Sequence, residues 1–248
     1  MSFSRVLFRF AKKGEARHLS HRDLMRLFDR ALRRAGLPVR MSQGFNPHPR
    51  LSIAAALSVG IEAEDEALEL EFEPPLAASE ARERLAAQLP QGIGLCSAET
   101  LPEGVRPRVE AAVYEAELPE GCGLAAADVD RFLAREAIVV VSHLHFAHSR
   151  HVRNEDVTPT GPERRERDIR PALRAMSIEG RRLRFELAVA DQGTPKATEV
   201  LAAFLDCDPA GLPPIPVRRT QVILALAEPR HASGTARTES HKGDEHAT

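Results

Sequence analysis

Residues 3–36 read FSRVLFRFAKKGEARHLSHRDLMRLFDRALRRAG and contain the two patterns that decide the fold. Apolar and polar residues alternate over residues 3–10, which predicts a half-buried β-strand. Further along, apolar residues recur at helical spacing between Ser20, a good helix N-cap with Asp23 three residues on, and Gly36, a good helix end. The chain therefore begins with a strand that is followed by an amphipathic helix.

The sequence patterns predict the order β-α-β-β-α-β twice along the chain. The first copy covers residues 1–105 and the second covers residues 106–226. The order predicts an α+β protein made of two ferredoxin-like halves, each an antiparallel sheet with two helices on one face. In the second half, a strand over residues 137–144 and a polar loop over residues 150–167 are expected. Residues 227–248 lack apolar periodicity, which predicts a disordered tail.

The overall composition is that of a globular protein. Of the 248 residues, 43% are hydrophobic and 28% are charged, and no apolar stretch is long enough to span a bilayer. The first residues do not resemble a signal peptide, because arginines interrupt them. The three cysteines form no CxxC pair, so neither a disulfide framework nor a four-cysteine iron–sulfur site is expected within the chain. We expect a reduced, cytoplasmic protein.

Charge is distributed unevenly along the sequence. Residues 1–50 contain 12 Lys and Arg against 3 Asp and Glu, whereas residues 51–149 contain 6 against 18. A basic segment on an acidic body predicts either an anionic partner at one place or neutralisation of the two segments across the fold.

Five arginines of the first helix share one side of it at steps of four, four, three and one residues. Guanidinium groups in such a row suit phosphate contacts, because each can bind two oxygens. A solvated face and a protein contact are the alternatives. The five arginines are Arg22, Arg26, Arg30, Arg33 and Arg34. Arg50, beyond the helix, is a sixth candidate for phosphate binding.

A stiff loop follows this helix. Its glycine permits a positive φ, and its prolines fix φ and hold the preceding residues extended. A stiff loop that presents an amide and an imidazole loses little entropy on binding, so we interpret it as a positioning loop, with an ordinary turn as the alternative. The loop consists of Gly44, Phe45, Asn46, Pro47, His48 and Pro49.

Three other polar groups are candidates for chemistry. His21, at the helix start, could act as an acid or base with His48, or could hydrogen-bond locally. The histidine-rich run of residues 143–151 could hold a metal ion, but without interleaved carboxylates or thiols we interpret it as a strand end and expect no metal site. Asp168 and Arg170 could orient a site or form a surface pair. No nucleotide-binding or hydrolase motif is present.

The stretch KKGEARHLSHRDLMRLFDRALRRAGLPVRMSQGFNPHPRLSIAAALSVGIEAEDE, with Asp168-Ile169-Arg170-Pro171 later on, closely resembles the radical-SAM-linked protein family of bacteria. This resemblance implies a companion of a separate B12-binding radical SAM protein, which would carry the iron–sulfur cluster, SAM and B12, so that no cofactor is expected in this chain. The family's genes tend to lie near RNA-processing and ribosomal genes, which adds RNA as an implied ligand.

Three hypotheses result. The first is a non-catalytic accessory module that binds RNA or another anionic substrate for the radical SAM partner. The second is a metal-independent RNA-processing or RNA-modifying enzyme with His21 and His48 as acid and base. The third is an adaptor that binds only protein. Because tryptophan is absent, tyrosine occurs once and most phenylalanines occupy core-like positions, we expect phosphate contacts rather than base stacking.

Overall fold

The computed structural model describes residues 2–143, 164–189 and 194–227, and within these ranges the protein is a mixed α+β fold. Its four α-helices are α1 His21–Arg34, α2 Ala78–Ala86, α3 Ala126–Leu133 and α4 Ala197–Phe204. Its strands are β1 Ser4–Lys12, β2 Leu51–Ile53, β3 Glu62–Phe72, β4 Ile93–Thr100, β5 Arg106–Glu117, β6 Val139–His143, β7 Arg164–Asp168, β8 Leu173–Glu179, β9 Arg182–Ala188 and β10 Val217–Ala227. No helix in these ranges is long and apolar enough to cross a membrane.

One eight-stranded sheet contains strands from both halves of the chain. Its order is β4-β1-β3-β10-β5-β9-β8, and β2 pairs with β3 beside this path. All pairings are antiparallel except the short β3–β10 contact, in which Arg218 lies opposite Glu62 and Arg219 lies opposite Ala63. We predicted one sheet for each half, whereas the last strand of the chain joins the two into a single, mostly antiparallel sheet.

The second half departs from the prediction in two places. The predicted strand over residues 137–144 exists as β6, but β6 pairs with β7 in a separate two-stranded sheet, and β8 takes the place beside β9. The predicted loop over residues 150–167 is wrong at its end, because β7 begins at Arg164. Strand β7 reads RRERD, without the apolar alternation by which a strand is recognised. Residues 150–163 and the predicted tail from residue 228 onwards lie outside the described residues.

The first half folds as its local patterns predict. Val6, Phe8 and Phe10 are fully buried and pack in one apolar core with α1 and α2. Helix α1 starts where expected, because the Ser20 hydroxyl oxygen accepts a hydrogen bond from the backbone N–H of Asp23. It ends where expected, because Gly36 adopts a φ of +60°.

A second core lies under α3 and α4. Val129 and Phe132 of α3 and Val200, Leu201 and Phe204 of α4 pack against the strands of the second half. The side chains at Leu68 of β3 and Tyr114 of β5 belong to the first and the second core, respectively. Tyr114 pairs with Arg219 of β10, which lies opposite Ala63 of β3, so the second core extends to the β3–β10 contact.

Candidate functional site

Helix α1 carries a row of exposed arginines, which we call the arginine face. At 100° per residue, the five side chains cover about 120° of the helix surface and lie opposite the buried Leu24, Phe28, Ala31 and Leu32. All five are exposed, and 64% of the Arg26 side chain and 63% of the Arg33 side chain are open to solvent. The arginine face comprises Arg22, Arg26, Arg30, Arg33 and Arg34.

Other basic residues of the first 50 are neutralised by β3. The Arg5 guanidinium lies 2.7 Å from the Glu69 carboxylate, and Arg9 lies 3.3 Å from Asp65. Arg40 lies 3.1 Å from the carboxylate of Glu71. The predicted neutralisation across the fold is therefore seen for β1 and its neighbours. The arginine face is left outward, and an anionic partner for it stays a prediction.

The arginine face itself is only weakly neutralised. Arg33 bonds Asp29 at 3.0 Å on its own helix, and Arg34 donates to the backbone carbonyl of Gln88 at 2.7 Å. The guanidinium groups of Arg22, Arg30 and Arg50 form no ion pair or hydrogen bond with the described residues. These three guanidinium groups are open to an external anion.

The predicted stiff loop is the end of a β-hairpin formed by residues 40–50, which we call the tip hairpin. The Arg50 backbone N–H donates to the Arg40 carbonyl at 2.8 Å, and the Ser42 N–H donates to the His48 carbonyl at 2.8 Å. Met41 and Pro49 form an antiparallel bridge between these two bonds. The hairpin is thus built by backbone pairing, as β-ribbons are.

Side chains close the tip hairpin further. The Ser42 hydroxyl accepts from the His48 N–H at 3.0 Å and lies 2.9 Å from the His48 Nδ1. Gly44 adopts the positive φ that we predicted, at +124°. The Phe45 ring, at the end of the hairpin, is fully exposed. The imidazole of His48 therefore helps to fix the hairpin that presents Phe45 and Asn46.

His21 lies elsewhere, on a small cavity with room for about one water molecule. The cavity is lined by His21, Leu19 and Leu24 on one side and by residues that follow β2, including Ala55 and Leu57, on the other. His48 precedes β2, and the cavity lies beyond its opposite end. The structure therefore does not bring His21 and His48 to one cavity.

Four buried polar residues lie in contact with one another at this cavity, and we call them the central charge cluster; two of them, Lys12 and Glu66, line the cavity. Arg219 donates to both carboxylate oxygens of Glu66, at 2.6 Å in the Nε–Oε1 contact, and lies 3.4 Å from the Tyr114 hydroxyl. The Lys12 ammonium group donates to the backbone carbonyls of Arg17 and Leu19 at 3.2 and 3.3 Å. The cluster comprises Lys12, Glu66, Tyr114 and Arg219.

The sequence pattern that defines a family of bacterial proteins matches residues 5–198. This family is DUF2344, described as an uncharacterized protein conserved in bacteria. The chain belongs to DUF2344. The match includes the arginine face, the tip hairpin and three cluster residues, Lys12, Glu66 and Tyr114, but ends before Arg219. No curated protein matches the chain.

Within this DUF2344 protein, burial dominates the electrostatics of Lys12. The residue is 1% exposed, and burial lowers the pKa of its ammonium group below the ordinary value of 10.5, although Glu66 acts in the opposite direction and raises it. The nearby guanidinium of Arg219 lowers the pKa further. Burial therefore outweighs the attraction of Glu66 in setting the direction of the Lys12 pKa.

We did not predict the central charge cluster, although the sequence contains a signal for it. Lys12 continues the inward series of Phe8 and Phe10 on β1, and Glu66 begins the inward series of Leu68 and Leu70 on β3. A charged residue in phase with a buried set indicates a buried ionic group. Arg219 and Tyr114 lie opposite each other on β10 and β5, and no local pattern indicates that pairing.

Asp168 and Arg170 stabilise the turn after β7. The Asp168 carboxylate accepts from the backbone N–H groups of Ile138 and Arg170, at 2.8 and 2.9 Å. Arg170 donates to the backbone carbonyls of Leu133 and Leu173, at 3.0 and 3.1 Å. The two residues hold α3, β6 and β8 together, and they face the backbone rather than the arginine face or the tip hairpin.

The histidine run falls mostly beyond what the structure covers. His145, His148 and His151 lie outside the described residues. Among the residues that are described, no group of three or more His, Cys, Asp or Glu side chains is arranged to hold a metal ion. Of the candidate site residues that the structure describes, the arginines of α1, residues 44–49 and His21 lie at the arginine face, the tip hairpin and the small cavity, respectively.

Proposed function

We propose that this DUF2344 protein is a non-catalytic accessory module that binds RNA through the arginine face. The observation that carries the proposal is the set of five exposed arginines on one side of α1, two of which, Arg22 and Arg30, have no partner among the described residues. Exposed guanidinium groups without protein partners are suited to bind phosphate oxygens, each of which can accept a charge-assisted hydrogen bond.

The length of the arginine face favours a polymer over a small anion. Twelve residues separate Arg22 from Arg34, and at 1.5 Å per residue they extend over roughly 18 Å. The five cations are thus spread along a line, whereas a single phosphate or carboxylate would need them to converge. A nucleic-acid backbone carries its charges in such a line.

The choice of RNA and of a partner rests on the resemblance to radical-SAM-linked proteins. We propose that a separate B12-binding radical SAM protein performs the chemistry in the cytoplasm and supplies the cluster, SAM and B12. The strand orders β4-β1-β3-β2 and β10-β5-β9-β8 support a further proposal, that each half is ferredoxin-like. RNA-binding and RNA-modifying proteins use this fold, which is support by analogy only.

The alternative is an RNA-processing enzyme in which His21 and His48 act as acid and base. Such an enzyme requires both imidazoles within hydrogen-bond reach of one bound substrate. Their positions at opposite ends of β2, with His48 bonded to Ser42, weigh against it.

The direct test is binding of labelled single-stranded RNA by the triple variant Arg22→Ala/Arg26→Ala/Arg30→Ala. Alanine keeps the helix, since its helix propensity is the highest. The matched control is Arg131→Ala/Arg174→Ala/Arg182→Ala, which removes three exposed charges from the second half. We expect the first variant to lose affinity by at least tenfold at low salt and the control to bind nearly as the wild type does.

The same samples decide between the hypotheses. Equal loss in both variants would mean that net charge alone drives binding and would contradict the proposal. RNA that a gel finds cut or altered, in a reaction that His21→Ala or His48→Ala abolishes, would favour the enzyme. Absence of RNA binding by the wild type would leave the protein adaptor, with the arginine face as its docking surface.

A further inference from the structure

Phe45 is exposed in a way that the other described phenylalanines are not. Seven of them are buried in the two cores. Phe3 is partly exposed, but its ring packs under the Arg40 guanidinium at 4.2 Å. The Phe45 ring lies neither in a core nor under another side chain. A phenylalanine left in water forgoes about 1.5–3 kcal/mol of burial free energy. Such a ring at the end of a projecting hairpin indicates a contact with another molecule.

The tip hairpin restricts the backbone that carries this ring. Backbone pairing, the Ser42–His48 hydrogen bonds and the rings of Pro47 and Pro49 restrict residues 42–49 before any ligand binds. An aromatic contact made from a restricted backbone loses less conformational entropy than one made from a free loop. The hairpin therefore has the stiffness that an aromatic anchor needs.

The surroundings of Phe45 are polar and cationic. Its neighbours in the hairpin include Gln43, Asn46 and His48, with Met41 as the exposed apolar side chain, and the Arg50 guanidinium forms no ion pair or hydrogen bond with the described residues. Between Asp29 and Glu62 the sequence contains five arginines and no acidic residue. Protein hot spots also contain aromatic and arginine side chains, but they lie in well-packed, desolvated pockets, whereas an exposed ring beside unpaired guanidinium groups suits the base stacking and phosphate contacts of a single-stranded nucleic acid.

The arginine face and the tip hairpin are near enough to serve one strand. Six residues lead from Arg34 to Arg40, so the helix end and the hairpin base are at most about 20 Å apart. Val39 pairs with Phe72, which fixes the hairpin base at the end of β3. A strand bound along α1 can therefore reach Phe45 within a few nucleotides.

We propose that Phe45 stacks on an unpaired RNA base while the arginine face holds the adjoining phosphates. This inference rests on the proposed function and adds the class of substrate, which is RNA with unpaired bases. It also reverses our expectation that base stacking is disfavoured. That expectation followed from the low aromatic content, whereas stacking requires one well-placed ring, and every base offers a π-face to it.

The test uses the absence of tryptophan from the sequence. In Phe45→Trp, the introduced indole is the sole tryptophan emitter and keeps an aromatic ring at the tip. We expect its emission to be quenched when a single-stranded oligonucleotide binds, with affinity close to that of the wild type. In Phe45→Ala, we expect affinity to fall about 5- to 150-fold, as the loss of one stacked base predicts, with an unchanged salt dependence.

Two comparisons make the test specific. A perfect duplex of equal length offers no unpaired base, so we expect Phe45→Ala to bind it as the wild type does. Val59→Ala, which shortens another exposed apolar side chain, should bind both RNAs normally. Since both side chains are exposed, neither substitution removes a core contact.

The outcomes separate this inference from the proposed function. If the wild type binds RNA but Phe45→Ala binds it equally well and the indole emission does not change, base stacking is wrong and the tip is left for a protein partner. If the wild type binds no RNA, the proposed function and this inference are both wrong.

Discussion

At the scale of single residues, the most consequential contact is the buried pair of Glu66 and Arg219. Both side chains are 2% exposed. Arg219 also donates to the backbone carbonyls of Ala55 and Ala56, each at 3.0 Å, so it fixes the connection between β2 and β3. One guanidinium therefore joins the last strand of the chain to the first half and shapes one wall of the cavity at His21.

We predict that Arg219→Met lowers the free energy of unfolding by about 3–5 kcal/mol, because it leaves the Glu66 carboxylate buried without its partner. The adjacent Arg218→Met is the matched control. Arg218 pairs with Glu115 at an exposed position, so its loss should cost about 0–1 kcal/mol. Urea unfolding of both variants measures the difference.

A double variant tests whether the unpaired Glu66 carboxylate causes the loss of stability. Glu66→Leu/Arg219→Met replaces the ion pair by apolar side chains, and we expect it to be more stable than Arg219→Met alone. If the double variant loses as much free energy of unfolding as Glu66→Leu and Arg219→Met lose together when measured singly, the cost of Arg219→Met does not come from an unpaired buried charge.

A second residue-scale prediction concerns pH. Burial raises the pKa of the Glu69 carboxyl above its ordinary value of 4.5, although Arg5 lowers it. The folded protein therefore takes up a proton at Glu69 at a higher pH than the unfolded chain does, and the contribution of Glu69 to stability rises as the pH falls through its folded-state pKa. Above that pKa the buried carboxylate costs stability.

Glu69→Gln cannot titrate at this position. We expect the free energy of unfolding of the wild type, minus that of Glu69→Gln, to increase as the pH falls from 7 towards 4.5. Urea titrations of both proteins at several pH values measure this difference. A difference that decreases over this range would mean that Arg5 outweighs burial.

At the scale of elements, local patterns were sufficient for β1 and α1 and insufficient for β7. The alternation around Phe8 and the cap at Ser20 are encoded within a few residues, and the structure confirms both. Strand β7 has no apolar alternation, and its pairing with β6 is set by contacts distant in sequence. The arginine face could be predicted from helical spacing alone, whereas the full exposure of Phe45 could not.

The tip hairpin gives an element-scale prediction. Ser42→Ala removes the acceptor of the His48 N–H and the hydroxyl beside its imidazole. We expect faster hydrogen exchange at the His48 amide and weaker binding of single-stranded RNA, because the hairpin loses its restriction before binding. Ser52→Ala, at an exposed position in β2, is the control and should change neither. Unchanged exchange at His48 would mean that backbone pairing alone orders the hairpin.

At the scale of the whole molecule, the sequence analysis predicted two separate sheets, whereas the structure has one sheet that contains strands from both ends of the chain. Local patterns gave the β-α-β-β-α-β order of residues 1–105 but missed β7 and β8 of the second half, and the β3–β10 contact joins residues more than 150 positions apart. The central charge cluster lies at this contact; Lys12 and Glu66 have a local signal in the sequence, but their partners Arg219 and Tyr114 do not. Lys12, Glu66, Tyr114 and Arg219 come from four different strands, and only the assembled sheet brings them together.

The division of charge also belongs to this scale. Pairs such as Arg5–Glu69 and Arg9–Asp65 neutralise the basic β1 within the sheet, which leaves the arginine face as the basic surface of the first half. The formal net charge of −2 conceals this arrangement. An anionic polymer is therefore expected to bind at one face and to be repelled by much of the remaining surface.

The measurement that tests the central claim most directly is the salt dependence of RNA binding by the wild type and by Arg22→Ala/Arg26→Ala/Arg30→Ala. Each phosphate contact on single-stranded RNA contributes about 0.7 to the slope of the logarithm of the binding constant against the logarithm of salt concentration. If the arginine face holds phosphates, the triple variant should reduce the slope by about 2. An unchanged slope would contradict the account, because RNA would then be held by other cations.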